Sequence, residues 1–378
     1  MKRAIFIILA LGVFILNAHS QSTDDVLNIL VQKKLIAQKE ADSLRAEAAI
    51  ASQANLAKVK AFPINASKKI TLLGYTQVRY QALEETGKSD GFDIRRARLD
   101  VKGNISPYWA YRVQFDLAGT PKLIDAYVEL KLNDYLNFTV GQAKVPFSLE
   151  NLTSSNKLEL IDRSQVVEAL VARGKDVGGN QNGRDIGVQV GGTILKLKDR
   201  PIVDYRLGVY NGAGINTADN NEKKDYVARL ILHPVVGLDI SGALYNGSRF
   251  VPAVTTGTVT TPSNSVDRNR YGFDLSYDLE NLSVRSEYIH GTDDIIKREG
   301  YYIQGGYFFF QKKFQLLARY DFYDTDKAVS ANASTWYVLG ANYNFNTTTR
   351  LQVNYTLKQE EGANVNNNLA SVQLQIGF

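Results

Sequence analysis

From Ile70 onward the chain obeys one rule: apolar and polar residues alternate along segments of roughly ten residues, separated by polar connectors. In residues 109–117 the odd positions are Trp109, Tyr111, Val113, Phe115 and Leu117, and the even ones are Ala110, Arg112, Gln114 and Asp116. Residues 270–279 split the same way, Tyr271, Phe273, Leu275 and Tyr277 against Gly272, Asp274, Ser276 and Asp278. Each segment therefore has two unlike faces and reads as a strand between two unlike environments. About 16 such segments can be counted, an even number suited to a closed antiparallel ring. They begin near Ile70, Phe92, Trp109, Leu123, Leu136, Asp185, Val203, Asp225, Leu238, Arg270, Leu282, Tyr301, Phe314, Trp336, Arg350 and Leu369.

Short connectors (105–108, 133–135, 198–201, 233–237, 280–281, 311–313, 346–349) alternate with mostly longer polar ones (82–91, 212–224, 247–269, 291–299, 325–335, 361–368). Short turns on one side and long loops on the other are the asymmetry of an outer-membrane barrel. A soluble sandwich also alternates, but it would not need acids and arginines on one face of nearly every strand. The fold class expected is all-β: a 16-stranded antiparallel transmembrane β-barrel over 70–378. Tyr80, Trp109, Tyr127, Tyr135, Tyr210, Tyr245 and Tyr343, at strand ends, suit interfacial girdles facing outer-membrane lipid.

Before the barrel, Lys2 and Arg3, an apolar run over 4–16 and Ala18-His19-Ser20 form an export signal over 1–20. Residues 21–60 carry a helical period (Val26, Ile29, Leu30, then Ala41, Leu44, Ala48), broken at Lys33-Lys34, and read as a periplasmic helical hairpin or coiled-coil arm. Residues 61–69, with Pro63, read as a linker. The absence of cysteine removes thiolate metal sites and cysteine nucleophiles, and 44 basic against 39 acidic residues, mutually scattered, is no nucleic-acid footprint.

One stretch breaks the rule. Residues 146–184, PFSLENLTSSNKLELIDRSQVVEALVARGKDVGGNQNGR, follow no strand pattern. A structureless segment of this length inside a compact domain is usually functional or disordered. The expectation is that it folds into the lumen as the third extracellular loop, with a short helix within 156–170 packed on the wall by Leu158, Leu160, Ile161, Val166 and Val167. Its first half then presents Ser154, Ser155 and Lys157 to the pore, with Arg163 in the same loop.

If the apolar face meets lipid, the lumen receives a nearly balanced set of charges, most of which brace a wet wall. One cluster is denser. In FDIRRARLDVK, residues 92–102, Arg96 and Arg98 lie on the inward parity, while Arg95 falls on the other and belongs at the rim or in a bulge. Arg79 on the preceding strand and Arg112 on the next extend it. Basic rings select anions, and the planar guanidinium fork suits phosphate.

An enzymatic reading finds little support. His233 precedes Pro234 in an inner turn, and His290 has lipid-side parity without a nucleophile motif. VGGNQNG lacks the ending of a phosphate-binding loop, and DTDKAVSAN lacks calcium-loop spacing. No cofactor or metal is expected. A structural or adhesion barrel is the remaining alternative.

The segments FDIRRARLDVKG (92–103), LIDAYVELKL (123–132) and VGQAKVPFSLENLTSSNKLELIDRS (140–164), with the final aromatic Phe378, resemble the phosphate-selective porin O and P family, in the branch found in Bacteroidetes-like bacteria. The resemblance implies a homotrimer of 16-stranded barrels passing small hydrophilic solutes, with an inward third loop and an anion constriction. Carried onto this chain, it assigns Arg95, Arg96 and Arg98 to the arginine motif, Asp125 to an acid on the fourth strand, and Ser154 and Ser155 to the loop hydroxyls. The acids Glu150, Glu159 and Asp162 crowd the same loop, so a general porin with weak anion bias stands beside the phosphate reading.

Overall fold

The computed structural model describes residues 68–378 except 86, 172–182, 257–258 and 364, together with 31–33, 37–38, 40–41 and 62–65. The chain divides into two compact units, Met1–Phe62 and Pro63–Phe378. In the first, Val31 and Gln32 are helical, Lys33 lies in a turn, and Gln38, Glu40 and Ala41 are helical again. The expected export signal and most of the arm lie outside the described residues. Phe62–Asn65 is a four-residue strand inside the segment read as a linker; proline is tolerated near the start of a short strand.

No helix among the described residues is long and apolar enough to cross a membrane. Crossing falls to sixteen strands: β1 (Lys68–Leu83), β2 (Gly91–Asn104), β3 (Trp109–Asp116), β4 (Lys122–Asn133), β5 (Leu136–Lys144), β6 (Arg184–Leu197), β7 (Arg200–Tyr210), β8 (Asp225–Leu232), β9 (Leu238–Val251), β10 (Asn264–Leu279), β11 (Leu282–Asp293), β12 (Ile296–Phe309), β13 (Phe314–Asp324), β14 (Ala333–Asn344), β15 (Arg350–Glu360) and β16 (Leu369–Gly377). Each pairs antiparallel with the next, and β16 closes on β1 from Leu369↔Leu83 to Gly377↔Tyr75. Beyond that seam Phe378 and Gly74 exchange backbone hydrogen bonds of 3.0 and 3.2 Å, so the terminal aromatic is part of the closure. Closing the ring leaves no free edge, which a chain in lipid cannot tolerate.

The two faces are those the alternation demands. Phe273, Leu244, Ile303, Leu339 and Ile376 stand exposed on the outer face, while Gln114, Asp116, Arg229, Gln304, Arg319 and Asp321 are buried inward. Two connectors expected to be long loops are largely strand. β11 runs to Asp293 and β12 starts at Ile296, joined by a tight turn with Asp294 at φ 56°. Around 247–269, β9 and β10 extend outward and enclose a small hairpin, Val254–Thr256 with Val259–Thr261. Beyond the lipid both faces meet water, so the strand no longer needs the alternation by which it was recognised.

The exceptional segment lies inside the ring. It holds helix α1 (Leu149–Leu152), a 3₁₀ turn (Ser155–Lys157) and helix α2 (Gln165–Leu170). Leu158, Leu160, Ile161, Val166 and Val167 are all buried, as the packing expectation requires. Val166, Val167 and Leu170 join Phe147, Tyr245, Ile289, Tyr302 and Tyr323 in one apolar cluster, and Leu160 joins Leu317 and Val338 in another. Each such side chain contributes about 1.5–3 kcal/mol when fully buried. The wall makes room with small residues: a β-carbon on Gly300 would lie 2.9 Å from the Val166 Cβ, and one on Gly340 would lie 2.6 Å from Leu160 Cδ2.

Polar contacts fix the loop further. Backbone N–H groups of Leu149 and Glu150 donate to the Glu287 carboxylate at 2.9 and 2.7 Å. The Ile161 N–H donates to Asn354 Oδ1 at 2.7 Å, and the Gln165 N–H to Asp321 at 3.1 Å. Gln304 and Gln315 both donate at 2.7 Å to the Glu159 carboxylate. The loop leaves the ring between β5 and β6 and leans on β10–β16 and β1.

Candidate functional site

A cavity of about 900 Å³ opens outward of the loop, lined by Arg79 and Arg95 and Arg96 from the wall, by Asp162, Arg163 and Glu168 from the loop, and by residues of β12–β16. Its arginine side is made by an irregularity. Between β1 and β2 the register runs Gln77↔Arg96 and then Val78↔Ile94, so Arg95 is the extra residue of a β-bulge. The bulge turns Arg95 inward although its parity in an ideal strand is outward. Arg95, Arg96 and, across the pair, Arg79 then face one space.

The bonds of these groups differ. Arg79 holds Asp93 through two hydrogen bonds, Nε to Oδ1 at 3.0 Å and Nη2 to Oδ2 at 2.6 Å. Arg95 Nη2 meets Asp162 Oδ1 at 2.5 Å, and Arg79 Nη1 lies 3.8 Å from the same oxygen. Arg96 Nη1 donates to Gln77 Oε1 at 2.9 Å, and Arg96 makes no ion pair among the described residues. Buried Arg95 Nη1 and Arg163 Nη1 have no hydrogen-bond partner among the described residues. Burial by the surrounding wall would raise the Asp162 carboxyl, but Arg95 and Arg79 outweigh it and hold it down at about 2. The carboxylate keeps 45 % of its side-chain surface open to lumen water and stays ionised at neutral pH.

The other expected residues are placed elsewhere. Arg98 lies about 7 Å farther along the strand from Arg96 and is buried against Asp116, Nε to Oδ2 at 3.1 Å. Arg112 binds Asp100 through two bonds of 2.9 and 2.8 Å and reaches Asp125 at 3.3 Å. Asp125 is buried and also takes Arg184 Nε at 2.5 Å. These three residues brace the wall. Arg163 is buried in the loop, donating to Glu150 O at 2.9 Å, to Thr153 O at 3.0 Å and to Ser155 Oγ at 3.4 Å. Ser155 is buried, and its carbonyl accepts from Gln77 at 3.4 Å, so it secures the loop against the wall and does not present itself to the pore as expected. Half-buried Ser154 caps the 3₁₀ turn in extended conformation without a side-chain cap bond. Lys157 is exposed on the periplasmic side of the loop, lining a separate cavity of about 400 Å³ with Glu159, Arg285 and Arg350.

Other groups that hold the site were not legible as such. Glu150 binds Arg319 and accepts from the Ser164 N–H at 2.8 Å. The inward amides Gln77, Gln304, Gln315, Gln352 and Gln375 form the docking wall for the loop. Their signal was available: on β12–β16 inward glutamines and asparagines stand where other strands carry charge pairs.

A lipid-facing ring of sixteen strands, a charged lumen and an inward loop with open space on both sides define an outer-membrane porin, a channel and not an enzyme. The sequence pattern of the family described as phosphate-selective porin O and P matches residues 73–378, and the chain belongs to that family. No curated protein matches the sequence. Among solved structures, it is similar to a loop L8 deletion mutant of OmpT, an outer membrane protein of Vibrio cholerae, at TM-score 0.60 and 16% identity over 82% of this chain and 100% of that one. An anion-selective porin from Comamonas acidovorans gives TM-score 0.59 and 15% identity over 82% and 100% of the two chains. The outer membrane channel DcaP of Acinetobacter baumannii gives TM-score 0.59 and 13% identity over 84% and 99%. At such identities the likeness establishes the fold.

Proposed function

We propose that this porin is a passive diffusion channel for small hydrophilic anions, phosphate among them, narrowed by the loop 146–184 and assembled as a homotrimer. The observation that carries the reading is the convergence of Arg79, Arg95, Arg96 and Arg163 on one cavity, with Arg96 free of any carboxylate partner among the described residues. Guanidinium groups replace part of an anion's hydration shell by directed hydrogen bonds, which favours entry without demanding a tight complex. The family and the anion-selective neighbour support the same direction, and the trimer form of OmpT supports the assembly.

A general porin with weak anion bias is the second reading, and Asp162 and Glu168 at the same cavity favour it. A salt-gradient reversal potential in a planar bilayer, with phosphate added to a chloride current, separates the two. Anion selectivity with phosphate block supports the first reading. Selectivity for cations overturns it.

A further inference from the structure

Within the loop, residues 161–163 are held on every side but one. The Ile161 N–H is bound by Asn354 at 2.7 Å, the Asp162 carbonyl accepts from Arg319 Nη1 at 3.3 Å, and Arg163 is tied to Glu150 O at 2.9 Å. What is left to move is the Asp162 side chain, at the end of a fixed backbone and half open to the cavity. Its oxygen stands 2.5 Å from Arg95 Nη2, in the place where an oxygen of a bound oxyanion would accept the same hydrogen bond.

We infer that Asp162 is a tethered competitor for the anion site, an internal carboxylate that occupies the Arg95 fork between solutes and must be exchanged for each one that binds. The inference rests on the anion reading of this cavity. A group tethered beside the fork competes within the molecule, so it raises the apparent dissociation constant of any free anion by the inverse of the fraction of time the fork is open. Passage through a pore requires binding that is favourable enough to enter and weak enough to leave. Asp162 supplies the second half: when the solute departs, the carboxylate returns to Arg95, and no bare guanidinium has to be regenerated. It also gives one of the cavity's guanidinium groups, Arg95, a carboxylate partner while the site is empty.

The test uses the full-length porin in planar bilayers, with inorganic phosphate as the blocker of a chloride current. Asp162→Asn and Asp162→Ser should lower the half-blocking phosphate concentration by about tenfold, the change for a fork that is open about one-tenth of the time, and lengthen each block. Asp162→Glu, which restores a carboxylate, should return it to the wild-type value. Overturning results are a half-blocking concentration unchanged or raised in both neutral variants while the wild type is anion-selective. A raised value would make Asp162 an acceptor for the hydroxyl of the phosphate itself. A wild-type channel that selects cations would instead remove the anion reading on which the inference stands.

Discussion

Val166 occupies the space that a side chain at Gly300 would fill: a β-carbon there would come within 2.9 Å of Val166 Cβ and 2.5 Å of the Phe322 carbonyl oxygen. Helix α2 therefore lies on the wall only because β12 presents bare backbone at that point. Gly300→Leu is expected to push α2 toward the lumen and cost about 1–3 kcal/mol of overpacking. Single-channel conductance should fall while the ring still assembles, which heat-modified electrophoretic mobility checks. Unchanged conductance would show that the loop does not set the channel width.

Arg96 makes no ion pair among the described residues and, unlike Arg163, is not tied to loop carbonyls, so it should carry most of the preference for anions. Arg96→Ala is expected to lower the anion-to-cation permeability ratio about fivefold, corresponding to about 1 kcal/mol of ion stabilisation in a wet pore. Arg98→Ala, which breaks the buried pair with Asp116, should reduce stability more than selectivity. Reversal potentials and thermal unfolding of the two variants, measured side by side, distinguish these roles.

Glu150 and Arg319 form a buried ion pair between loop and wall. Removing one partner of such a pair leaves an uncompensated charge and costs about 3–5 kcal/mol. Glu150→Ala should loosen the loop, seen as noisier open-channel current and faster proteolysis near the loop. The double variant Glu150→Met with Arg319→Met should recover much of the loss, because it removes both charges together.

His233 lies in an inner turn, with Nδ1 2.5 Å from Asp239 and Nε2 3.3 Å from Asp204. Partial burial would lower its pKa, but the two carboxylates outweigh that and raise it above the ordinary value. The stabilisation from this turn is then complete below the unfolded histidine value of about 6.5 and disappears as pH rises through the higher folded value. Denaturant unfolding in detergent should show the barrel losing stability across that window, and His233→Gln should flatten the slope. A slope of opposite sign would show that His233 is neutral in the folded turn.

The ring was legible in the chain because lipid and water impose opposite demands on alternate residues, a demand broken in mid-strand where inward Ile289, Tyr302, Leu317 and Val338 receive the loop. It failed at the outer ends of β11 and β12, where both faces are wet and the pattern dissolves. The loop was legible as an exception, and Leu158, Leu160, Ile161, Val166 and Val167 as its packing face. The role of Ser155 was not, since nothing local says that Arg163 and Gln77 will consume its polar atoms. Arg95 was legible only as a parity error. That error marks the bulge, but the partner that rewards it, Asp162, lies 67 positions away in sequence by its numbering and is found only in three dimensions.

The loop emerges after β5, yet its anchors are Glu287, Gln304, Gln315, Asn354 and Gln375, the last bonded to Asn156 across 219 positions. Contacts so distant in the chain form late, because the intervening segment must first be organised. The narrowing therefore depends on wall strands made long after the loop in chain order, Gln375 of β16 among them. The aperture is thus set by strands from across the whole second half of the ring, so its size reports on how completely that wall has been built.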